Sequence, residues 1–246
     1  MRLTPRGLNE KKHDRSVYFF LHFSSDPAVS PPKSLSKGEQ TRERILDAAQ
    51  LIASREGLEG LTIGGIAERL EMSKSGVFAH FGSREDLQIA VIDDYVRRFL
   101  DAVFFPALKK PRGLPRLKAM FENWLDRIVF VEIPNGCVFV SGAVEFDDKE
   151  GAVRDRMVAV NRAWQGEMRK AALQAMDEGH LLPDTDTEQL IFDLYGVMLS
   201  LHHDARLLRE PRAVERARLS FKRTIDFYAG AAPVRKEGKA AARLAA

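Results

Sequence analysis

Residues 62–81 read TIGGIAERLEMSKSGVFAHF, and they decide the fold because they predict two short helices joined by a tight turn. Thr62 can cap the first helix, whose apolar residues recur with the 3.6-residue period of an amphipathic helix. A turn at Glu71 leads to Ser73, which can cap a second helix that ends at Gly82. The stretch therefore predicts a helix-turn-helix.

The side chains of this motif suit a contact with DNA. Ala67 supplies the small residue that two steeply packed helices need at their closest approach, and Val77 supplies the apolar contact from the second helix. Residues 73–76, Ser-Lys-Ser-Gly, bring short polar side chains and free backbone N–H groups within reach of a phosphate or a base edge. A plain helical hairpin can show the same spacing, so the flanking sequence decides between the two interpretations.

Helical signals lie on both sides of the motif. Ser36 and Glu39 have the spacing of a capping box, and an apolar face with a helical period follows until Gly57. Ser83 predicts the cap of a further helix, residues 84–99, directly after the motif. This context favours a DNA-binding domain over a plain hairpin.

The stretch Thr41–Val91 resembles the tetracycline-repressor (TetR) family. The resemblance is carried by Ile45, Ala48-Ala49, Gly57, Thr62, Ile66-Ala67, Ser73-Lys74-Ser75, Phe78, His80-Phe81 and Ser83-Arg84-Glu85-Asp86-Leu87. It implies a homodimer that binds a palindromic double-stranded DNA operator, usually as a repressor. It also implies that a small-molecule effector releases the DNA by entering the C-terminal domain.

The resemblance implies which residues meet DNA. Thr62 would cap its helix and touch a phosphate, Lys74 would approach bases or backbone, and Arg84 would bind a phosphate just beyond the groove. Ser73 at the start of the second helix and the local cation Arg42 complete the set, so the predicted DNA-binding residues are Arg42, Thr62, Ser73, Lys74, Ser75, Gly76, Phe78, His80 and Arg84.

Two positions of the motif depart from the family pattern. Glu71 stands where the turn usually has glycine, and a left-handed backbone costs a non-glycine residue about 1–2 kcal/mol. Phe78 stands where a tyrosine usually donates to a phosphate, although a phenyl ring can still contact a thymine methyl group. Both departures affect which operator is bound and how tightly, but they do not disturb the predicted fold.

The charge of the chain is uneven along its length. The net charge of +3 arises from residues 1–37, which carry +4, and residues 234–246, which carry +3, so that residues 38–233 carry −4. The sequence pI of about 9.0 therefore reflects the two ends of the chain. This distribution excludes a folded part that binds any polyanion through overall basicity, so DNA binding must depend on a few local cations.

Beyond the motif the pattern stays helical, and no alternating run of strand quality interrupts it. We predict an all-α fold in which residues 38–85 form an N-terminal three-helix helix-turn-helix domain. Residues 86–230 are predicted to form a helical ligand-binding and dimerisation domain. Residues 1–37 predict a disordered extension or linker, rich in Ser and Pro near its end, and residues 231–246 predict a basic disordered tail.

Several helices of the second domain carry side chains that suit either a packed core or a pocket for a small molecule. Core packing accounts for most of them, whereas a pocket needs apolar walls with few polar groups. Trp164 and Tyr195 suit a ligand best, because each adds a polar group to an aromatic ring. The candidate effector-binding residues are Trp124, Cys137, Trp164, Tyr195, Met198 and His202. We expect an apolar or aromatic effector.

The remaining pattern predicts a dimer interface at the end of the chain. Residues 106–115 predict a loop, residues 137–147 a buried helix, and residues 190–201 a helix that is apolar nearly all round and buried on more than one side. Gly196 and Ser200 form a small patch that lets another helix approach closely, and the last helix has a wide apolar face. An intramolecular core is the alternative.

Metal and catalytic sites are not expected. Residues 202–204, His-His-Asp, suggest a metal site, but adjacent residues point about 100° apart on a helix and no Cys or Glu at metal-ligand spacing joins them. Residues 145–148 suggest catalytic carboxylates, but we expect these acids to end a helix and pair with Arg154 or Arg156. We therefore expect no metal, no cofactor and no catalytic residue.

The single cysteine, Cys137, cannot form an internal disulfide, which favours the reducing cytoplasm, and no apolar run approaches the ~20 residues that span a bilayer. Two other function classes stay open. A ligand-independent regulator or activator predicts that no pocket of roughly a few hundred Å³ exists. A helical enzyme or interaction module that merely carries the hairpin predicts no salt-sensitive binding to any palindrome.

Overall fold

The structure, a computed structural model, describes residues 35–230, and every regular element in that range is helical. The all-α prediction is confirmed. The predicted tail, and all of the predicted extension before residue 35, lie outside the described residues. The nine principal helices of the described range are α1 Lys37–Glu56, α2 Ile63–Arg69, α3 Lys74–Phe81, α4 Arg84–Phe99, α5 Leu114–Arg127, α6 Val138–Phe146, α7 Ala152–Asp177, α8 Thr187–His202 and α9 Ala213–Tyr228.

Side-chain caps start the first four helices where the sequence predicts them. Ser36 and Glu39 form the capping box of α1, in which each backbone N–H donates to the other residue's side chain. The hydroxyl groups of Thr62, Ser73 and Ser83 accept from backbone N–H groups in the first turns of α2, α3 and α4. Each such cap contributes about 1 kcal/mol, so these hydroxyls determine where the chain changes direction.

Helices α2 and α3 pack as the predicted helix-turn-helix. Ala67 and Val77 are both buried, and the N–H of Met72 donates to the carbonyl of Ala67 across the turn. Glu71 has a φ of 56°, the left-handed conformation expected at this position. The turn therefore carries a strain of about 1–2 kcal/mol that glycine would avoid.

Three helices continue through a π-helical turn. Helix α4 continues through Leu100–Phe104 into the α-helical residues Phe105–Leu108, and α5 continues through Ile128–Glu132 into Ile133–Asn135. Helix α8 continues through His203–Leu208. Such turns are frequent at functional sites, and they change which residues of a helix face its neighbours.

Helix α4 connects the two parts of the chain. It starts at the Ser83 cap beside α3, packs against α1, and then enters the core formed with α5 and α7. Buried residues from Ile45 in α1 to Tyr228 in α9 belong to one continuous hydrophobic cluster. The predicted domain limit between residues 85 and 86 falls in the first turn of α4, and the domain limits remain predictions.

The prediction of a loop at residues 106–115 is wrong at both ends. Pro106 lies in the first turn of Phe105–Leu108, and Pro115 lies in the first turn of α5. Proline is tolerated at position 115 because the first turn of α5 leaves its N–H groups unpaired in any case, whereas Pro106 comes directly after the π-turn Leu100–Phe104.

Two helices are less buried than the sequence predicts. Helix α6 buries Val138 and Phe146 but leaves 74% of Val144 exposed, because it lies at the surface and packs along one side. Helix α8, expected to be buried on more than one side, leaves Phe192 73% and Leu199 47% exposed. Nothing among residues 35–230 of a single copy covers this second face of α8.

The arginines predicted to pair with the acids at the end of α6 make other contacts. Arg156 pairs with Asp93 of α4 at 2.6 Å, and Arg154 reaches only the backbone carbonyl of Asp147, at 3.5 Å. Glu145 turns instead towards the N-terminal part of the chain. These contacts anchor α6 and α7.

The segment around α6 touches the N-terminal domain at two points. A Cβ on Gly136, the residue before Cys137, would come within 1.6 Å of the carbonyl oxygen of Ser54 in α1. Glu145 Oε2 accepts a hydrogen bond of 3.0 Å from the N–H of Glu59 in the 3-10 turn Leu58–Gly60. The two parts therefore meet through one backbone-to-backbone contact and one hydrogen bond from a backbone N–H to a side chain.

Within residues 35–230, no single helix is long and apolar enough to cross a membrane. Leu114–Asn135 and Val138–Phe146 meet that requirement of length and composition only as a pair, which is bent by 69°.

We predict that Gly136→Ala lowers the free energy of unfolding by more than about 3 kcal/mol. The φ of 106° suits glycine almost alone, and the added methyl group would overlap the backbone of α1. Gly179→Ala is the matched control, because Gly179 has a φ of 70° and no atom within 4 Å of an added Cβ. It should lose only about 1 kcal/mol. Urea denaturation measures both losses, and equal losses would contradict the proposed contact.

Candidate DNA interface and aromatic cavity

Helix α3 presents the side chains predicted to meet DNA. Val77 and Phe81 face the core, while Lys74, Ser75 and Phe78 project from the opposite side and are exposed. Phe78 is 54% exposed, although its side chain is large and apolar. This exposed face of α3 is the one that a helix-turn-helix inserts in the major groove.

The capping hydroxyls lie at the same surface. Thr62 Oγ1 accepts a hydrogen bond of 2.9 Å from the N–H of Gly65, and Ser73 Oγ accepts one of 3.0 Å from the N–H of Gly76. Ser75 Oγ lies 3.1 Å from Ser73 Oγ. Each hydroxyl oxygen thus has an internal role, and the exposed groups remain available for one further partner such as a phosphate.

The predicted cations differ in how far they are free to bind DNA. Arg84 donates from Nε to the carbonyl of Leu61 at 2.7 Å and from Nη2 to the carbonyl of Glu59 at 2.5 Å, so it clamps the loop before α2. Arg42 lies over the ring of Phe81, with 5.1 Å between the guanidinium carbon and the ring centre. Lys74 is exposed, and its stem lies over Gly64. Lys74 is therefore the best placed of the three.

All nine predicted DNA-binding residues lie at exposed or half-buried positions, with Gly76 and His80 half-buried. A DNA contact of any of them remains a prediction. The acidic side chain of Glu71 is exposed beside the cap of α3, where it would repel a phosphate.

A cavity lies between helices of the C-terminal part. Its lining includes all six of the candidate effector-binding residues, Trp124, Cys137, Trp164, Tyr195, Met198 and His202. The other lining residues are Val96, Phe99, Glu132, Phe139, Val140, Val160, Asn161 and Leu199. The cavity has a volume of about 30 Å³, and about 550 Å³ of empty space lies between its walls when the part open to solvent is counted.

Aromatic rings form one wall of this cavity. The Trp124 and Trp164 rings meet edge to face at 5.7 Å, and Phe99 meets Trp164 at 4.8 Å in the same way. Tyr195 lies 5.5 Å from Trp124, and its hydroxyl donates to Asn161 Oδ1 at 2.7 Å. Such edge-to-face contacts stabilise a wall that is mostly apolar, with a few fixed polar groups.

A buried charge cluster forms the polar end of the cavity. Glu132 Oε1 accepts from the hydroxyl of Tyr95 at 2.5 Å and from Arg127 Nε at 3.1 Å. His202 Nε2 lies 2.9 Å from the other carboxylate oxygen, in a close contact that is not a well-aligned hydrogen bond. Burial alone would raise the pKa of Glu132, but contacts with His202, Tyr95 and Arg127 hold it below its usual value. The carboxyl group is therefore ionised.

The residues Glu132, Cys137 and His202 also have the geometry of a metal site. Their potential ligand atoms lie within 4.8 Å of one another, so the fold supplies the Glu and Cys that sequence spacing around His202 did not indicate. The chemistry fits an ion less well. Arg127 already balances the carboxylate, and burial raises the pKa of Cys137 to about 12, which keeps the thiol protonated. The expectation of no metal remains a prediction.

The sequence analysis did not predict the polar end of the cavity around Glu132. Glu132 is the last residue of the π-turn Ile128–Glu132, and its partner Tyr95 is 37 positions away, so no local spacing indicated the cluster. An acid inside the apolar run IVFVEI (residues 128–133) was the one available signal, because acids are rarely buried without a partner.

Two family models match the chain. The model described as "Bacterial regulatory proteins, tetR family" matches residues 45–91, which contain the helix-turn-helix. The model described as "Tetracyclin repressor-like, C-terminal domain" matches residues 113–221, which contain most of the cavity. Both parts of the chain thus match parts of the same family.

Relatives and solved structures agree with this assignment. The HTH-type transcriptional regulator SrpR of Pseudomonas putida is 23% identical over 182 residues, which cover 74% of this chain and 82% of that protein. A TetR-family regulator from Streptomyces coelicolor has a TM-score of 0.67 at 18% identity, covering 78% of this chain and 97% of that one. One from Chloroflexus aurantiacus has a TM-score of 0.66 at 23% identity, covering 78% and 96%. The chain belongs to the TetR family of transcriptional regulators, which act by binding DNA and not as enzymes.

Proposed function

We propose that this regulator represses transcription as a homodimer on a palindromic operator and leaves the DNA when a small apolar or aromatic molecule enters the cavity. The observation that carries the proposal is that one helix, α6, both lines the cavity and touches the DNA-binding domain. We expect the protein to act in the cytoplasm, as its single cysteine favours.

The path from the cavity to the DNA-binding domain is short. Phe139 and Val140 at the start of α6 line the cavity. At the other end of α6, Glu145 holds the N–H of Glu59, and a Cβ on Gly142 would lie 3.2 Å from Leu58. A shift of α6 would therefore displace the 3-10 turn Leu58–Gly60, which leads into α2.

The small size of the cavity indicates that it must expand when an effector binds. A volume of about 30 Å³ holds roughly two water molecules, so an aromatic effector must displace side chains that line the cavity. A molecule that binds only the expanded state shifts the protein towards that state. The same small volume is the observation that favours the second candidate, a regulator that acts without a ligand.

The dimer is supported by the outer face of α8 and α9, which we define as Phe192, Leu199, Leu219 and Phe227. These side chains are between 44% and 73% exposed. Gly196, on the same side of α8 as Phe192, has no atom within 4 Å of an added Cβ, so a second helix can approach closely. A second copy of the chain would cover the outer face of α8 and α9 in a four-helix interface.

We predict that Phe192→Glu weakens the dimer at least about tenfold, because it would bury an unpaired charge between two copies. Sedimentation equilibrium at micromolar concentration measures this, and the wild type should be dimeric. Phe130→Glu is the matched control, since Phe130 is 75% exposed on the π-turn of α5 and outside that face. A wild type that is only monomeric would contradict the dimer.

We predict that selection from a random DNA pool enriches a palindromic sequence, because a two-fold symmetric dimer presents two copies of α3. The selected duplex then serves in a release assay with small aromatic molecules. Release by at least one of them supports the proposed mechanism. A palindrome that no such molecule releases would favour the ligand-independent regulator, and no enrichment would contradict the whole proposal.

We predict that Lys74→Ala weakens binding to the selected operator and lowers the slope of log Kobs against log salt by roughly 1, as expected for one lost phosphate contact. Fluorescence anisotropy over a salt series measures both quantities. Lys118→Ala is the charge-matched control, because Lys118 is exposed on α5, outside the helix-turn-helix. If Lys74→Ala behaves like the control, Lys74 does not contact DNA.

A further inference from the structure

Three buried polar atoms of the cavity lining have no hydrogen-bond partner: Glu132 Oε2, the indole Nε1 of Trp164 and Nδ1 of His202. Glu132 Oε2 still lies 2.9 Å from His202 Nε2, so the other two, on side chains that are 6% and 5% exposed, are the ones to explain. Buried polar groups are nearly always paired, so an unpaired one calls for an explanation such as a missing ligand. Both residues line the same cavity, which makes a shared partner there the simplest one.

The contact with Glu132 determines what His202 offers. An imidazole nitrogen 2.9 Å from a carboxylate oxygen must carry a proton, since two lone pairs would repel each other at that distance. While the ring carries only this proton, Nδ1 is a bare acceptor. The indole nitrogen of Trp164 is a donor only. The cavity therefore offers one acceptor and one donor.

The other polar groups of the lining are already used. Tyr195 donates to Asn161, and Asn161 Nδ2 donates to the carbonyl of Met157 at 2.8 Å. Glu132 is the only acid among the described lining residues, and Arg127 balances its charge. A cationic molecule would therefore find no free counter-charge in the cavity.

We infer that the effector of this regulator is an uncharged aromatic molecule with a hydroxyl group, of the phenol class. Its hydroxyl group donates to His202 Nδ1, and an oxygen of the molecule accepts from the N–H of Trp164. The aromatic body packs against the wall formed by Trp124, Trp164 and Phe99. This inference deepens the proposed function and rests on it for the role of the cavity.

Three probes with the same number of heavy atoms test the inference on the full-length protein. They are p-ethylphenol, which donates and accepts, p-methylanisole, which only accepts, and phenethylammonium, which is a cation. Isothermal titration calorimetry should give the affinity order phenol, anisole, ammonium. Each lost hydrogen bond should cost a factor of about two to ten. An ammonium ion that binds as tightly as the phenol, or binding of none of the three, overturns the inference without any variant.

Variants then assign the two hydrogen bonds. Trp164→Phe removes the donor and should weaken the phenol and the anisole by similar factors. His202→Lys keeps an N–H for Glu132 but has no acceptor in place of Nδ1, so it should weaken the phenol alone. Trp124→Phe is the matched control, because Trp124 lines the same cavity and its indole nitrogen is not among the unpaired buried atoms. It should change all three affinities alike.

The outcomes separate the inference from the proposed function. The inference is overturned if Trp164→Phe, folded by circular dichroism, leaves both the phenol and the anisole affinities unchanged, or if His202→Lys, likewise folded, leaves the advantage of the phenol over the anisole unchanged. Phenol binding with the predicted variant effects, but without release of the operator, supports the ligand class and contradicts the proposed release mechanism. Release of the operator by phenethylammonium and not by p-ethylphenol supports the proposed release mechanism and contradicts the ligand class.

Discussion

The buried carboxylate of Glu132 is the group on which the C-terminal part depends. Tyr95 from α4, Arg127 from α5 and His202 from α8 converge on it, so one charge joins three helices. Arg206, beyond α8, donates to its backbone carbonyl as well. Removing one partner from a buried charge of this kind costs about 3–5 kcal/mol. The cluster therefore fixes the relative positions of the helices that enclose the cavity, and the cavity keeps its shape for that reason.

Much of the N-terminal part could be predicted from the sequence because its determinants are local. Caps at Thr62, Ser73 and Ser83 act over three residues, and the Ala67–Val77 contact lies within one motif. The left-handed backbone of Glu71 could also be predicted, since the residue stands where the family usually has glycine. Local rules suffice where partners are close in the sequence.

The cavity was predictable only in part. Its aromatic and apolar residues follow from helical periodicity, which shows that a side chain faces inward but not whether it meets another side chain or an empty space. The charge cluster was not predictable, because its members come from four separate elements. The sequence left both a dimer interface and an intramolecular core open for α8, because an apolar surface looks the same in a sequence whether its own chain or a second copy covers it.

The contact between the α6 segment and the N-terminal domain involves few residues and leaves little room for movement. Gly136 brings one backbone against another at Ser54, and Glu145 binds a single N–H group of the other side. Packed contacts without slack pass on a displacement, whereas long side chains would absorb it. A narrow joint of this kind can couple two sites with a small movement.

The π-turn before Glu132 also bears on how relatives of this regulator diverge. Successive residues of a helix are rotated by about 100°, so deleting one residue from Ile128–Glu132 would turn the carboxylate away from His202 and bring a neighbouring side chain to its place. A one-residue gap can thus replace the charged polar end of the cavity with an apolar one, while the two ends of the helix keep their positions. Alignments of relatives should be inspected for such gaps at this turn, because a change in effector chemistry can arise there without any substitution among the aligned lining residues.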